Sequence, residues 1–392
     1  MVRAYGSSAL TIDVVRIAVV HSAYSARQPS GENRVVEDQV RALAQVGHEV
    51  MLVERRTDEL EVEPLYRVKS AFRVATGFGA DPSRVLHDFK PDVVHVHNLF
   101  PNFGSRWMTS WNGPIAMTLH NFRLVCSSGL LYRDGNTCTE CPKHGNWRAV
   151  KHGCYRHSEF ASIPVAVGRP GALRDATLGV TKIITTSNVF DHMLKENSPR
   201  PLETIVIPNF GSGSPETPLP SADRHGWLAM GRFSPEKGFR ELLEIWPSDQ
   251  ELTLVGDGPD ESFMTQLVRY SFLAHHRPMP VEALREFLPR FRGLIFPSRW
   301  VEAAPQVVVE AARVGLPIIA FRSNGVADLV AAYGAGTIYG DRDSLIGGLR
   351  TVEAQLDGMS AAAVDMFSDQ WLEGTWLERI EDLYASLLEC RG

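Results

Sequence analysis

The sequence predicts an α/β protein made of two doubly wound domains that face each other across a cleft. Its 392 residues are long for one compact core and suit two. Short apolar runs alternate with amphipathic segments, which is typical of parallel strands joined by helices. The alternation stops after about residue 207 in a segment rich in Gly, Pro and Ser, and then starts again. A cleft between two such halves is the usual place for a ligand.

The first half contains five apolar runs that predict strands. Val15–Val20 is apolar throughout, as expected of a parallel strand that is covered on both faces. After a polar loop, apolar residues at helical spacing predict a helix from about Val35 that ends at Gly47. The other predicted strands are Glu49–Val53, Asp92–Val96, Ile115–Leu119 and Lys182–Thr185. Strands separated in this way indicate a Rossmann-like parallel sheet.

The second half repeats the pattern after the loop GSGSPETPLPSADRHG. The predicted strands are Trp227–Met230, Leu252–Val255, Gly293–Phe296 and Leu316–Phe321, and the predicted helices lie near Glu241–Ile245, Val307–Arg313 and Ala327–Ala332. We expect an N-terminal domain over residues 1–206, a C-terminal domain over 207–364 and a tail over 365–392. The tail is predicted as one acidic amphipathic helix, roughly 365–388, that packs back on the N-terminal domain.

Composition and charge exclude several classes of protein. Hydrophobic residues make up 44% and charged residues 22%, as in an ordinary globular protein. The net charge is −6 and no basic stripe stands out, which argues against a nucleic-acid binder. No apolar run approaches the roughly 20 residues that span a bilayer, and the first residues lack a signal-peptide profile. The expected location is the cytoplasm, with the inner face of the membrane as an alternative.

Charged residues follow the predicted strands of the second half. After Phe296 a short loop carries Glu302, and Pro305 stands where a helix begins, a position that tolerates its missing N–H. That helix N-terminus would aim backbone amides and the positive end of its dipole into the cleft. Glu310 lies about one and a half turns inside the helix.

Two further loops favour an anionic ligand. Arg232 and Lys237 follow a strand and Gly231, and their spacing lets both cations converge on one diphosphate. Gly256 follows the next strand and permits a close approach of the backbone. Each signal alone is weak, because glycine loops are common and a lone cation on a loop is usually solvated.

Together and in this order, these residues resemble glycosyltransferase family 4, the retaining GT-B enzymes. The family's two glutamates, which are separated by seven intervening residues, are matched by Glu302 and Glu310, and its Arg…Lys-Gly pair by Arg232 and Lys237. IPNFG at residues 207–211 resembles the family's inter-domain turn. The resemblance implies a GT-B fold and a hexosyltransferase (EC 2.4) that transfers sugar from a UDP or GDP donor to a hydroxyl acceptor in surface-polysaccharide or natural-product biosynthesis.

The resemblance also implies roles for the site residues. Arg232 and Lys237 would neutralise the leaving diphosphate without a catalytic metal, and Glu310 would bind the ribose hydroxyls. Glu302 would contact the transferred sugar. The backbones of Gly231, Gly256, Ala304 and Gln306 would complete the donor site. One departure is Ala303-Ala304-Pro305 where much of the family has Gly-Phe-Gly, so one backbone donor is absent, which alters donor choice more plausibly than it abolishes activity.

The first half supplies candidates for the other side of the cleft. His120 follows a strand, and the family context makes it catalytic and near the donor sugar, although position alone would favour a hydrogen-bonded core histidine. Gly31 opens the first helix and resembles the family's glycine-rich loop near the diphosphate. His97, Asn98 and Asn121 lie at strand ends and are candidates for the acceptor site.

Four of the five cysteines are clustered in residues 126–154. The spacing Cys126-x11-Cys138-x2-Cys141-x12-Cys154 fits a structural zinc ion held by four thiolates, and two disulfides or free thiols are the alternatives. The cluster, following HNFRLVC, also resembles a subset of family 4 associated with surface-polysaccharide assembly.

The implied partners are a nucleotide-sugar donor and a saccharide, lipid-linked or small-molecule acceptor, with no nucleic acid and at most peripheral membrane contact. A predicted helix from Leu65 to Phe78 has an apolar stripe with basic residues beside it. We favour a core face for this stripe, with contact to an anionic membrane as the alternative.

Two rival classes are weighed against the transferase. The altered Ala-Ala-Pro segment leaves open a non-catalytic nucleotide-sugar-binding or interaction protein on the same scaffold. A nicotinamide-dependent dehydrogenase would need G-x-G-x-x-G after the first strand, and SAYSARQPSGEN lacks it.

Overall fold

Two parallel sheets form the framework of the chain in the computed structural model, which describes residues 14–24, 31–259, 271–322 and 324–389. The first sheet has the strand order β2-β1-β3-β4-β7-β8. Its strands are β1 Arg16–Ala23, β2 Glu49–Arg56, β3 Val93–Asn98, β4 Ile115–Thr118, β7 Lys182–Thr185 and β8 Thr204–Val206. The order reverses between β1 and β3, and ligands of open α/β sheets bind at such a reversal.

The second sheet has the order β11-β10-β9-β12-β13-β14 and reverses between β9 and β12. Its strands are β9 Trp227–Met230, β10 Leu252–Val255, β11 Leu273–His276, β12 Leu294–Phe296, β13 Ile318–Phe321 and β14 Gly336–Tyr339. A short antiparallel hairpin, β5 Tyr132–Arg133 with β6 Asn136–Thr137, lies in the cysteine segment. The prediction of two Rossmann-like domains is confirmed, while β8, β11 and β14 were not foreseen.

Helices cover both faces of each sheet. Alternate residues of β1 and of β9 belong to different hydrophobic clusters, so each sheet is packed on two sides. The helices of the first half are α1 Gly31–Gln45, α2 Thr57–Leu60, α3 Tyr66–Thr76, α4 Ser83–Phe89, α5 Glu140–His144, α6 Trp147–Lys151, α7 Glu159–Gly179 and α8 Asn188–Glu196. Those of the second half are α9 Phe239–Ile245, α10 Val281–Phe287, α11 Gln306–Arg313, α12 Ala327–Tyr333, α13 Arg342–Ala354, α14 Leu356–Gln370 and α15 Glu373–Glu389.

The predicted single tail helix is wrong, because the chain forms α14 and α15 with a break at Trp371. Trp371 is buried, and its carbonyl accepts a hydrogen bond from the Gly211 amide (2.9 Å). Phe367 of α14 belongs to the core of the second sheet, whereas Tyr384 of α15 belongs to that of the first. The break lets consecutive helices pack on different sheets.

The favoured interpretation of the α3 stripe is also wrong. Leu65, Val68, Phe72 and Phe78 are each more than half exposed, whereas Arg73 beside them is buried. Helical periodicity shows that one face is apolar, and it does not show whether a neighbouring element covers that face. Among the described residues, no helix is both long and apolar enough to cross a membrane.

Candidate active site

The loops that follow β9 and β12 meet at the strand reversal of the second sheet. The first carries Lys237 in a 3₁₀ turn, Pro235–Lys237, and the second carries Glu302 just before α11. Lys237 Nζ lies 2.7 Å from Glu302 Oε2, with both side chains largely buried. Residues 65 positions apart in sequence therefore form one ion pair because their strands are neighbours.

Two side-chain polar atoms of Glu302 and of the start of α11 have no partner within the described part of the chain. They are Glu302 Oε1 and Gln306 Nε2, both buried. Buried polar groups are nearly always hydrogen-bonded, so an unpaired acceptor and an unpaired donor only four residues apart in sequence indicate a place for a ligand that supplies both partners. Their chemistry suits sugar hydroxyls and phosphate oxygens.

Arg232 and Glu310 do not join the Lys237–Glu302 pair. Arg232 is more than half exposed and lies 3.7 Å from Glu236. Glu310 is buried in α11, where its carboxylate accepts a hydrogen bond from Arg313 Nε (3.3 Å), and Arg313 also pairs with Glu216. The Glu310 carboxylate, which we predict to bind the ribose, is therefore already paired with the Arg313 guanidinium.

Glycines allow the loops that follow the strands of the second sheet to pack closely against one another. Gly231 and Gly256 both have φ near +150°, and a Cβ at Gly256 would overlap the carbonyl oxygen of Gly231. Gly238, with φ +71°, is packed in the same way against the carbonyl of Pro297 in the loop after β12. The three loops approach closely because these positions carry no side chain.

The first domain contacts this site directly. A Cβ at Gly31 would lie 3.6 Å from Gln306 Cγ, so the start of α1 faces the start of α11. The Thr186 hydroxyl donates a hydrogen bond to the Ala303 carbonyl (2.6 Å), and Ala303 belongs to a hydrophobic cluster of the first domain. Ala304, the next residue, is only partly buried. The loop with Glu302 is therefore held by both domains.

A row of histidines ends the strands of the first sheet. His97 Nδ1 and His120 Nε2 are 3.0 Å apart, so one nitrogen donates to the other. Burial lowers the pKa of His120 to about 3 and, with the neighbouring histidines, holds that of His97 well below its usual range. Both rings are thus neutral at physiological pH. His95 is buried between the Tyr384 and Thr118 hydroxyls and is part of the core.

The predicted asparagines have structural contacts. Asn98 accepts a hydrogen bond from the Phe100 amide (3.0 Å) and donates one to the Ser22 carbonyl (3.2 Å). Asn121 accepts one from the Arg123 amide (3.0 Å). These contacts shape the loops after β3 and β4.

Glu32 is a candidate that sequence reasoning missed, although it directly follows Gly31. Burial raises its pKa to about 8, while Arg123 and a hydrogen bond with Asn98 act in the opposite direction. An acidic side chain with a raised pKa at a cleft is a typical functional candidate. Its burial could not be foreseen because Asn98 and Arg123 are remote in sequence.

A cavity opens from the histidines into the first domain, between α3 and α7. It encloses about 840 Å³ of empty space, open solvent at its mouth included. His97, His120, Asn98, Asn121 and Glu32 line one part of it. The remaining wall is mostly apolar, with Phe100, Phe103, Met108, Met117, Leu119, Leu124 and Val165. The acceptor candidates thus border an enclosed apolar space that the sequence did not predict.

The four clustered cysteines are brought together. Cys126, Cys138, Cys141 and Cys154 line one pocket of about 330 Å³, and none of the four forms a disulfide. Within the described residues, however, no three His, Cys, Asp or Glu side chains are arranged to hold a metal ion. The predicted zinc therefore stays a prediction. Cys390 lies outside the described residues.

The facing Rossmann-like domains, with charged loops at the reversal of the second sheet, define a protein of the GT-B class. Comparison with protein families agrees: residues 29–210 match the model for glycosyltransferase family 4, and residues 220–355 match that for glycosyl transferases group 1. The two matches cover most of the chain. The chain belongs to glycosyltransferase family 4.

Individual relatives are distant. An uncharacterized glycosyltransferase of Haemophilus influenzae is 27% identical over 198 residues, 46% of this chain, and the chain covers only about half (53%) of that relative's length. A putative teichuronic acid biosynthesis glycosyltransferase of Bacillus subtilis is 23% identical over 366 residues, which are 80% of this chain and 83% of the relative.

Solved structures share the fold. Sucrose-phosphate synthase from Thermosynechococcus elongatus aligns with a TM-score of 0.68 at 16% identity, covering 95% of this chain and 99% of its own. HepE of Anabaena in complex with UDP aligns with a TM-score of 0.62 at 15% identity, covering 95% and 100%.

Proposed function

We propose that the protein is a retaining glycosyltransferase that moves a sugar from a nucleoside-diphosphate donor of the UDP or GDP type to a hydroxyl acceptor in polysaccharide or natural-product biosynthesis. The observation that carries the proposal is the Lys237–Glu302 pair, with an unpartnered carboxylate oxygen, at the strand reversal of the second sheet. The name of the Bacillus relative, which spans most of the chain, favours polysaccharide assembly.

In this proposal the donor lies across the starts of α1 and α11. Lys237 binds the diphosphate as a point charge, with Arg232 able to swing onto it from its exposed position. Glu302 Oε1 accepts a hydrogen bond from a sugar hydroxyl, and Gln306 Nε2 donates one to the donor. Because these cations and the helix start supply positive charge at the leaving group, no catalytic metal is required.

Transfer then takes place on one face of the sugar. The acceptor oxygen bonds to the anomeric carbon while the bond from that carbon to the diphosphate oxygen breaks. The acceptor proton passes to the departing phosphate on the same face, so configuration is retained. His120, which burial keeps neutral, serves as a hydrogen-bonding group toward the sugar rather than as a charged acid.

Titration calorimetry tests the donor site. UDP, GDP, ADP and dTDP are each titrated into the protein in the presence of a chelator. We expect one diphosphate to bind wild type and to lose affinity in Lys237→Ala. Lys182→Ala is the matched control, because Lys182 is the first residue of β7, at the amino end of its strand, and pairs there with Glu203 (3.5 Å). No binding by any of the four would contradict the proposal.

The second candidate is a non-catalytic nucleotide-sugar-binding protein, favoured by Pro305, which cannot donate an amide. The two candidates differ in turnover. Incubation with the donor whose diphosphate binds, with and without acceptors, should release diphosphate if the protein is an enzyme. The anomeric configuration of the product, from its proton coupling, then tests retention. Binding without transfer or hydrolysis across several acceptors would favour the second candidate.

We also propose that the four cysteines hold a structural zinc ion. The support is their shared pocket and the lack of disulfides among them, together with the Arg133 guanidinium on the pocket wall, whose charge suits a net-negative tetrathiolate centre. Zinc binding would require the four thiolates to move closer together than they are in this structure, in which the described residues form no metal-holding group. Metal analysis of protein purified without added zinc should give about one ion per chain. Less metal in Cys141→Ser supports the site, and a metal-free wild type excludes it.

A further inference from the structure

The cavity between α3 and α7 has a wall that is apolar and yet carries several positive charges. Arg73 from α3, Arg169 from α7 and Arg123 from the loop after β4 all line it. Glu32 is the one acidic side chain among the described residues on its wall. His97 and His120, which also line it, are neutral because burial lowers their pKa values. The lining is therefore net positive.

Arg73 and Arg169 are each more than nine-tenths buried. Their guanidinium groups donate to backbone carbonyls, of Pro101 (3.0 Å) and Val125 respectively, and Arg169 Nε is buried with no partner among the described residues. In the same part of the chain, neither group has a carboxylate within ion-pair distance; Glu63, which acts on Arg73 from farther away, pairs with Lys69 (3.6 Å). Buried charges are normally paired, so two unpaired cations in one wall point to a missing anion.

The surroundings of the two arginines differ. The thiols of Cys141 and Cys126 lie near Arg169, so a zinc tetrathiolate would offset that charge. Burial and another cation, Arg55, lower the pKa of Arg73, while Tyr66 and the Glu63 carboxylate act more weakly in the opposite direction. A cation that is buried beside a second cation is stabilised only when an anion lies close by. Arg73 is therefore the stronger indicator of an anionic ligand.

The helices that form the cavity are also apolar on their outer surfaces. Val68 and Phe72 of α3 are each more than half exposed, and Phe160 of α7 is 85% exposed. Ile163 and Val167 continue the same face of α7 at helical spacing. The two helices touch where Gly168 packs against the Val74 carbonyl. Apolar surface thus borders the cavity both inside and outside.

From these observations we propose that the cavity binds the acceptor, and that the acceptor is a lipid carrying a phosphate or diphosphate. Its anionic group lies against Arg73, and its apolar chain follows the wall between α3 and α7 outward. A saccharide joined to the anionic group supplies the reactive hydroxyl, which points toward His120. The inference rests on the proposed function, because it takes the ligand of this cavity to be the transferase's acceptor. It adds the chemical class of that acceptor.

Titration calorimetry with three probes tests the class. Farnesyl diphosphate has both chain and anion, farnesol only the chain and inorganic diphosphate only the anion. The titrations use Lys237→Ala, so that the donor cleft does not take up diphosphate. We expect farnesyl diphosphate to bind at least about tenfold more tightly than farnesol or inorganic diphosphate does. Arg73→Met should lower the affinity for farnesyl diphosphate by about the same factor.

Matched variants separate this role from folding. Arg67→Met removes an exposed cation from the same helix and should leave binding unchanged. Ala172→Trp fills the cavity without changing its charge and should weaken binding even if Arg73→Met does not fold. Equal affinity for farnesol or for inorganic diphosphate would overturn the proposal, as would unchanged binding in both cavity variants. If wild type binds no nucleoside diphosphate while Lys237→Ala still binds farnesyl diphosphate, the result would count against the proposed function instead.

Discussion

The Lys237–Glu302 pair predicts opposite effects on two properties of the site. Lys237 Nζ, 2.7 Å from Glu302 Oε2, is the cation that a diphosphate would have to share. Glu302→Gln keeps the shape of the side chain and removes its charge, so it should release Lys237 for the diphosphate. We therefore expect this variant to bind nucleoside diphosphate more tightly and to transfer sugar more slowly.

The burial of the pair sets the size of both effects. Unit charges about 4 Å apart attract by about 4 kcal/mol at the effective dielectric near a protein surface. Desolvation removes much of this, and a net of about 1 to 2 kcal/mol corresponds to about 5- to 30-fold tighter binding of the diphosphate. Loss of a charged hydrogen bond to a sugar hydroxyl, about 1.5 to 3 kcal/mol, corresponds to a decrease in kcat/KM of about 10- to 150-fold.

The assay pairs calorimetry of the diphosphate with the rate of diphosphate release from the intact donor. Lys237→Met should lower both affinity and rate, and the double variant should show coupling between the two sites. Glu353→Gln is the control, since it neutralises an ion pair with Arg292 on the exposed surface (2.8 Å). The reasoning is refuted if Glu302→Gln weakens diphosphate binding as much as Lys237→Met does.

Two further predictions concern stability. The lowered pKa values of His95 and His120, each about 3, mean that their contribution is present above pH 6.5 and is lost as pH falls from 6.5 toward 3. Urea denaturation across this range should show stability falling by up to about 1.4 kcal/mol per pH unit for each ring. The fall should be less steep than in wild type for His95→Gln, and as steep as in wild type for the exposed His192→Gln. A pH-independent stability would contradict it. Gly256→Ala, which drives a Cβ into the Gly231 carbonyl at φ +150°, should lower the melting temperature markedly, whereas Gly347→Ala, with open space inside α13, should leave it equal or higher. Equal melting temperatures for the two variants would exclude a tight contact between the loops.

Sequence reasoning worked best where charged site residues come shortly after a strand. Lys237 and Glu302 each come a few residues after an apolar run, and parallel strands end at a common edge. Knowing that both strands existed was therefore enough to place the residues at one edge. Sequence alone did not give their pairing, because the contact depends on β12 lying next to β9 and not next to its neighbour in sequence, β11.

The cavity shows where sequence reasoning stops. Arg73 and Arg169 lie on helices nearly a hundred positions apart, and each reads as an ordinary solvated cation on an amphipathic helix. They line one space only because a glycine, Gly168, lets α7 approach the backbone of α3. The exposure of Phe72 has the same origin, because the α3 face that packs against α7 is not the face that the stripe predicted.

Pro305 shows which part of a motif can change without altering the scaffold. Its carbonyl accepts hydrogen bonds from the Val308 (2.9 Å) and Val309 (3.4 Å) amides, so the first turn of α11 forms normally. A proline at this position fixes the backbone that a glycine would leave free, and removes one N–H. Gln306 Nε2, a buried donor without a partner in the described chain, lies one residue away. In the proposed donor complex, the side chain of Gln306 would therefore supply the hydrogen bond that the backbone of Pro305 does not, and the charge arrangement around Glu302 would be unchanged.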